Sequence, residues 1–174
     1  MFILAQVVSL LAAGVNAIAV QQKTKVQIML GYVVAAVLFT VSFALLGAYV
    51  GAVACLIIGI QTAISYFFEK KGVHRLPTWL IGVFLVTSLG AGVVTYQGLI
   101  DILPILGSML YVWLLAATKE KNIRRLSALS ISLWVIYDFS VAAYVMAVTD
   151  LIFLISTIVA IFRYDLRGES SSIS

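Results

Sequence analysis

Charge is what this chain of 174 residues has least of: Asp, Glu, Lys and Arg make up 10% of it, against about 25% in a soluble domain. With 63% of its residues drawn from AVILMFWYC, the chain cannot cover a water-facing surface, so a soluble globular domain is excluded. Disorder is excluded by the same ratio, because disordered chains combine low hydrophobicity with high charge. The single cysteine, Cys55, allows no intramolecular disulfide. The single histidine, His74, stands in a charged break without ligand partners at useful spacing, so no metal site is expected. Nucleophile-elbow, H-E-x-x-H, P-loop and dinucleotide patterns are missing too. Neither an enzyme nor a cofactor is expected.

What the chain does have is long apolar runs, where a transmembrane β-barrel would show weak alternation. A helical span takes about 20 residues. The charged and turn-forming breaks then leave seven spans: 3–20, 28–46, 51–68, 77–96, 99–117, 126–144 and 148–164. Pro77 suits the first turn of the fourth helix, where its missing N–H costs little. This predicts an all-α polytopic membrane protein whose first partner is the lipid bilayer. Ala17-Ile18-Ala19 has the form of a signal-peptide cleavage site, but no basic residue precedes the apolar run, so the first span is expected to be retained.

Seven crossings put Lys23, Lys25, Lys70, Lys71, Arg75, Lys119, Lys121, Arg124, Arg125, Arg163 and Arg167 on one side, which is all 11 basic residues. Asp101 falls on the other side. Basic residues in short loops mark the cytoplasmic face. The expected topology in the inner (plasma) membrane is therefore N-terminus outside and C-terminus cytoplasmic. The net charge of +4 is accounted for by loops facing anionic headgroups, and no nucleic acid partner is expected.

The chain also repeats itself. A shift of 95 positions lays Ala48-Tyr49-Val50 on Ala143-Tyr144-Val145 and gives 10 identities over the 20 positions from 48 to 67. One residue of slippage brings Lys23-Thr24-Lys25 onto Lys119-Glu120-Lys121. Spans one to three thus correspond to spans five to seven, and the fourth crossing keeps the two units parallel. The expected organisation is a triple-helix bundle in 1–72, a linker helix in 73–98, a second bundle in 99–167 and a disordered tail in 168–174. Parallel repeats about an axis along the membrane normal are a transporter architecture, with sites near mid-depth between the repeats.

Ionisable groups inside a span are expensive and mark function by default. Asp138, in the sixth span, and Asp150, at the outer end of the seventh, are the two carboxylates. Trp134 is four residues before Asp138 and so on the same helical face. By the repeat, Asp150 corresponds to Cys55 and Trp134 to Phe39, each aromatic preceding its partner by 16 residues. Two such pairs facing each other would form a cleft with ring platforms and a carboxylate. Asn16 joins these as a candidate, with Gln6, Ser42, Gln61 and Ser108 as further polar positions. Structural roles are the alternative: Asp150 as a helix N-cap, Asp138 paired with Tyr137, Ser140 or Asn16.

The run Ser42–Gly51, the basic breaks, Leu133-Trp-Val-Ile-Tyr137 with Tyr144, and the ending Ile161–Asp165 resemble the YgjV-type bacterial inner-membrane proteins over nearly the whole chain. That family resembles in turn the SWEET, SemiSWEET and PQ-loop superfamily of 3+1+3 bundles. The resemblance implies that Trp134 with Asp150 and Phe39 with Cys55 occupy the pocket positions. The chain departs from the superfamily pattern in lacking its Pro-Gln pair and in carrying Phe, Cys and Asp at those positions. The expected function is transport of a small polar or cationic solute by alternating access. A non-transporting receptor or assembly protein that works through its basic loops, above all Lys119–Arg125, is the alternative.

Overall fold

The computed structural model describes residues 1–20, 22, 25–73, 75–117 and 120–166. Lys23, His74, Lys119, Arg167 and the expected tail 168–174 lie outside the described residues. Lipid offers the backbone no hydrogen bonds, so apolar runs of this length must satisfy their own N–H and C=O groups as helices. Seven α-helices are present among the described residues: α1 (Phe2–Val20), α2 (Lys25–Leu46), α3 (Tyr49–Lys70), α4 (Thr78–Thr95), α5 (Ile102–Ala116), α6 (Glu120–Ser140) and α7 (Tyr144–Ala160). A 3-10 turn, Leu99–Asp101, leads into α5, and a π-helical segment, Ile161–Leu166, continues α7.

Six of these helices are long and apolar enough to cross a membrane. The exception is α6, because Lys121, Arg124 and Arg125 occupy its first turns and Asp138 lies near its end. Its apolar stretch therefore begins only at Leu126.

Local chemistry sets the boundaries. Gly72 at φ 79° ends α3 in the left-handed conformation that glycine adopts without a Cβ penalty. Pro77 immediately precedes α4, and its carbonyl accepts from Leu80 and Ile81 N–H. Pro104, which the sequence places well inside a span, sits in the first turn of α5, where an N–H would have no intrahelical partner. Asp101 organises the preceding turn: its Oδ2 accepts from Gln97 N–H at 2.9 Å and Gly98 N–H at 3.0 Å.

The helices pack in chain order. Within α1–α3, α2 lies between its neighbours, and within α5–α7, α6 does. Helix α4 joins the two sets by packing on α3 and α5. The sets also meet directly, α1 against α7 and α3 against α5. The basic residues Lys25, Lys70, Lys71, Arg75, Lys121, Arg124, Arg125 and Arg163 gather at one end of this bundle, which we call the basic end. Large apolar side chains such as Leu10, Leu30, Val86, Leu99 and Ile152 point outward all around it, as a lipid-facing surface requires.

Candidate functional site

Between the two sets of helices lies a cavity of about 300 Å³, open to one side. Its walls come from six helices and none from α4: Asn16 of α1; Tyr32, Ala35, Ala36 and Phe39 of α2; Cys55, Ile58 and Thr62 of α3; Tyr111 and Leu114 of α5; Ser127, Ser130 and Ile131 of α6; Asp150 and Phe153 of α7. The space exists because Ala35, Ala36, Ser127 and Ser130 put small side chains where the middle helices face each other. Cys55 and Asp150 are near mid-depth, while Asn16, Tyr32, Leu114 and Ser127 are toward the basic end, so the cavity runs from the centre of the bundle toward that end.

Most of the lining falls into pairs separated by the repeat interval of 95 residues. The pairs are Asn16 with Tyr111, Tyr32 with Ser127, Ala35 with Ser130, Ala36 with Ile131, Cys55 with Asp150, and Ile58 with Phe153. Only Phe39, Thr62 and Leu114 line it without their counterparts. Thr62 donates to the Ile58 carbonyl at 2.7 Å, and its counterpart Thr157 donates to the Phe153 carbonyl at 2.8 Å. With its own hydrogen spent on Ile58, the Thr62 hydroxyl accepts from the Tyr111 O–H at 2.9 Å.

The opposite end of the bundle is closed. Phe43, Ala48, Ala52, Cys55, Tyr137, Ala143 and Met146 form a packed cluster with Phe39, Leu46, Leu103, Trp134 and Val141 against it. Phe43, Trp134 and Tyr137 contact one another with ring centroids 5.8–6.0 Å apart. Gly51 makes room for Tyr137, and its N–H donates to the Tyr137 hydroxyl oxygen at 3.0 Å. Gln6 of α1 spans to the other set: Nε2 donates to the Ala142 carbonyl at 2.9 Å and Oε1 accepts from Val145 N–H at 3.1 Å. Ser9 and Ser42 hydroxyls lie 2.6 Å apart beneath this end.

Of the residues singled out in the sequence, Asn16, Phe39, Cys55 and Asp150 come together around the cavity. Trp134 and Asp138 do not line it. Trp134 is drawn into the aromatic cluster and lies over Gly107. Asp138 is 1% exposed, and its Oδ1 has no hydrogen-bond partner among the described residues. Tyr137, Ser140 and Asn16 are not its partners; Tyr137 is engaged by Gly51 and Ser140 donates to the Ile136 carbonyl. Asp150 does not cap α7: it sits well inside Tyr144–Ala160, and the cap residue is Ala143.

Comparison with known proteins places the whole bundle. The family model described as "Bacterial inner membrane protein" (Imp-YgjV) matches residues 3–167. The chain belongs to the YgjV family of bacterial inner membrane proteins. It is 26% identical to the inner membrane protein YgjV of Escherichia coli strain K12 over 99 residues, which is 57% of this chain and 50% of that relative. The matched segment thus spans about half the length of the relative. No solved structure matches.

In this YgjV-family chain, sequence reasoning missed Tyr32, Tyr111, Ser127, Ser130 and Phe153 as cavity residues. The 95-residue register could have found Tyr111, the counterpart of the candidate Asn16; Ser127, Ser130 and Phe153 pair with Tyr32, Ala35 and Ile58, none of which the sequence singled out. The remaining polar candidates are spent on packing. Ser42 donates to the Ala5 carbonyl, Gln61 Nε2 to the Phe84 carbonyl and Ser88, and Ser108 to the Pro104 carbonyl.

Proposed function

We propose that this chain is a small-solute transporter of the inner membrane, with its site in the cavity between α1–α3 and α5–α7. In this reading α6 is the seventh span, and the helices form two parallel three-helix units joined by α4, related by a pseudo-twofold axis along the membrane normal. The basic end faces the cytoplasm, the N-terminus lies outside, and the conformation described is the one open to the cytoplasm. Alternating access then requires the outer cluster to part and the basic end to close around the solute.

The observation that carries the proposal is the pairing of the cavity lining at 95-residue intervals. A site on a symmetry axis between two units is where a rocking motion exposes a solute first to one side and then to the other. The contacts support the same arrangement, because α1 against α7 and α3 against α5 are the two equivalent pairings of such an axis.

Cys55 provides the test, since it is the single thiol and it lines the cavity. A small membrane-impermeant thiol reagent is expected to label it in inside-out vesicles and to leave it unlabelled in right-side-out vesicles. Labelling from the outside alone would overturn the orientation. Purified protein in liposomes is also expected to speed entry of at least one member of a panel of radiolabelled amines, sugars and organic acids over protein-free liposomes; equal rates across the panel would overturn transport.

A further inference from the structure

Among the described residues, the cavity lining contains one formally charged residue, Asp150, and no Lys, Arg or His. Cys55, its counterpart across the repeat, is neutral in character, so the charge stands on one wall only. The Asp150 carboxyl makes no hydrogen bond or ion pair with another described residue. An acidic group in a protein cavity bounded by lipid attracts an opposite charge far more strongly than one in water does. Four rings, Tyr32, Phe39, Tyr111 and Phe153, line the same cavity. None of these four takes part in the ring contacts found elsewhere in the bundle, so their faces are not used up by one another.

We infer that the cavity receives a small organic cation, an amine or quaternary ammonium, with Asp150 as its counter-charge and Tyr32, Phe39, Tyr111 and Phe153 as its aromatic cage. The inference rests on the reading of the cavity as a solute site. Ring faces attract cations through their quadrupoles, and quaternary ammonium groups are recognised in aromatic cages of this kind. At about 300 Å³ the cavity has room for a small organic molecule. No group of three His, Cys, Asp or Glu that could hold a metal occurs among the described residues. The lining also selects against acids. A zwitterion or an organic anion would bring a carboxylate that finds no cationic partner among the described lining residues, and leaving a buried charge unpaired is costly.

The test uses the full chain purified in detergent and its unfolding temperature with three cations (choline, tetramethylammonium and ethanolamine). Betaine, which adds a carboxylate to the trimethylammonium group, and dimethylbutanol, the neutral carbon isostere of choline, serve as controls at equal concentration and ionic strength. At least one cation is expected to raise the unfolding temperature in a saturable way, as a ligand of the folded state must, while betaine and dimethylbutanol do not. Asp150→Asn is expected to weaken that cation by about tenfold or more while the ligand-free protein unfolds no earlier than wild type, and Asp150→Glu is expected to restore binding in part. Phe153→Leu, which keeps the apolar volume and removes the ring, is expected to weaken binding by about three- to tenfold.

The inference is overturned if none of the three cations stabilises the protein. It is overturned equally if betaine or dimethylbutanol stabilises it as much as choline, or if a folded Asp150→Asn binds the cation as wild type does. The two readings separate in liposomes. Cation binding without uptake sustains the ligand and removes the transporter; uptake of a neutral solute with no cation binding sustains the transporter and removes the ligand.

Discussion

At the corner between α2 and α3 the chain turns through Gly47 at φ 76°, and at the corner between α6 and α7 it turns through Ala142 at φ 58°. The following residues, Ala48 and Ala143, have φ/ψ of −84°/67° and −83°/57°. Ala48 N–H donates to the Phe43 carbonyl at 3.0 Å and Ala143 N–H to the Asp138 carbonyl at 2.8 Å, again 95 residues apart. Backbone and register agree at the two corners, and the side chains do not. Phe43 and Asp138 are each 1% exposed at equivalent positions, one a ring and the other an acid. Gly51 corresponds to Met146, Phe39 to Trp134 and Cys55 to Asp150. The corner is thus a property of where the chain must reverse in the bundle, and an alanine is held in a conformation that favours glycine. The chemistry is one-sided, with Asp138 on α6 and Asp150 on α7 and no acid at the equivalent positions 43 and 55.

Exchanging side chains between equivalent positions breaks this comparison most strongly at 51 and 146. Met146→Ala removes volume from the packed cluster opposite the basic end and is expected to cost about 2–3 kcal/mol, the lower part of the range for a buried methionine, because lipid solvates the reference state. Gly51→Ala is the opposite change at the equivalent place. Its Cβ would stand 2.6 Å from Tyr137 Cε1 and 2.9 Å from the hydroxyl, so overpacking of about 1–2 kcal/mol is expected, with the Gly51–Tyr137 hydrogen bond disturbed. Denaturant unfolding of the reconstituted protein reads both; equal stability for either variant would mean that this cluster is not packed as described.

The corner itself gives a smaller effect with a change of sign. Nothing lies within 4 Å of a Cβ built on Gly47, so Gly47→Ala carries only the conformational cost of a left-handed alanine, about 1–2 kcal/mol. Ala142→Gly is expected to relieve part of the same cost and raise the unfolding midpoint. A loss at both positions would show that the two corners are not equivalent. Smallest of all is Gln6→Ala, which removes two hydrogen bonds between the units and is expected to cost about 0.6–1.5 kcal/mol.

The helices were legible in the sequence because scarce charge marks helix ends in a membrane protein, and α2 begins at Lys25 and α3 ends at Lys70. The sixth helix was legible as a helix, while Lys121, Arg124 and Arg125 leave it short of a span by apolar length. The site was half legible. Cys55, Asp150, Phe39 and Asn16 line the cavity, Cys55 and Asp150 from equivalent positions on α3 and α7. Trp134 was not legible in this way. Its position follows from Gly107 on α5, which leaves a slot for the indole, and from Phe43 and Tyr137, which pack around it. Such placement depends on neighbours from other helices, which helical periodicity within α6 does not encode.

The hydroxyl groups of the bundle have a mechanical consequence. Thr40, Ser65, Thr95, Ser108, Ser132, Thr149 and Thr157 each donate to a carbonyl four residues earlier in their own helix. Those bonds ride along whenever the helix moves and resist nothing. Side-chain hydrogen bonds also join α1–α3 to α5–α7: Gln6 with the α6–α7 corner, Gly51 with Tyr137, and Thr62 with Tyr111. Gln6 and Tyr137 fasten the end opposite the basic end, and Thr62 with Tyr111 lies nearer the basic end. Any movement of α1–α3 against α5–α7 would have to release these bonds, while the hydroxyl bonds within each helix would travel with it intact.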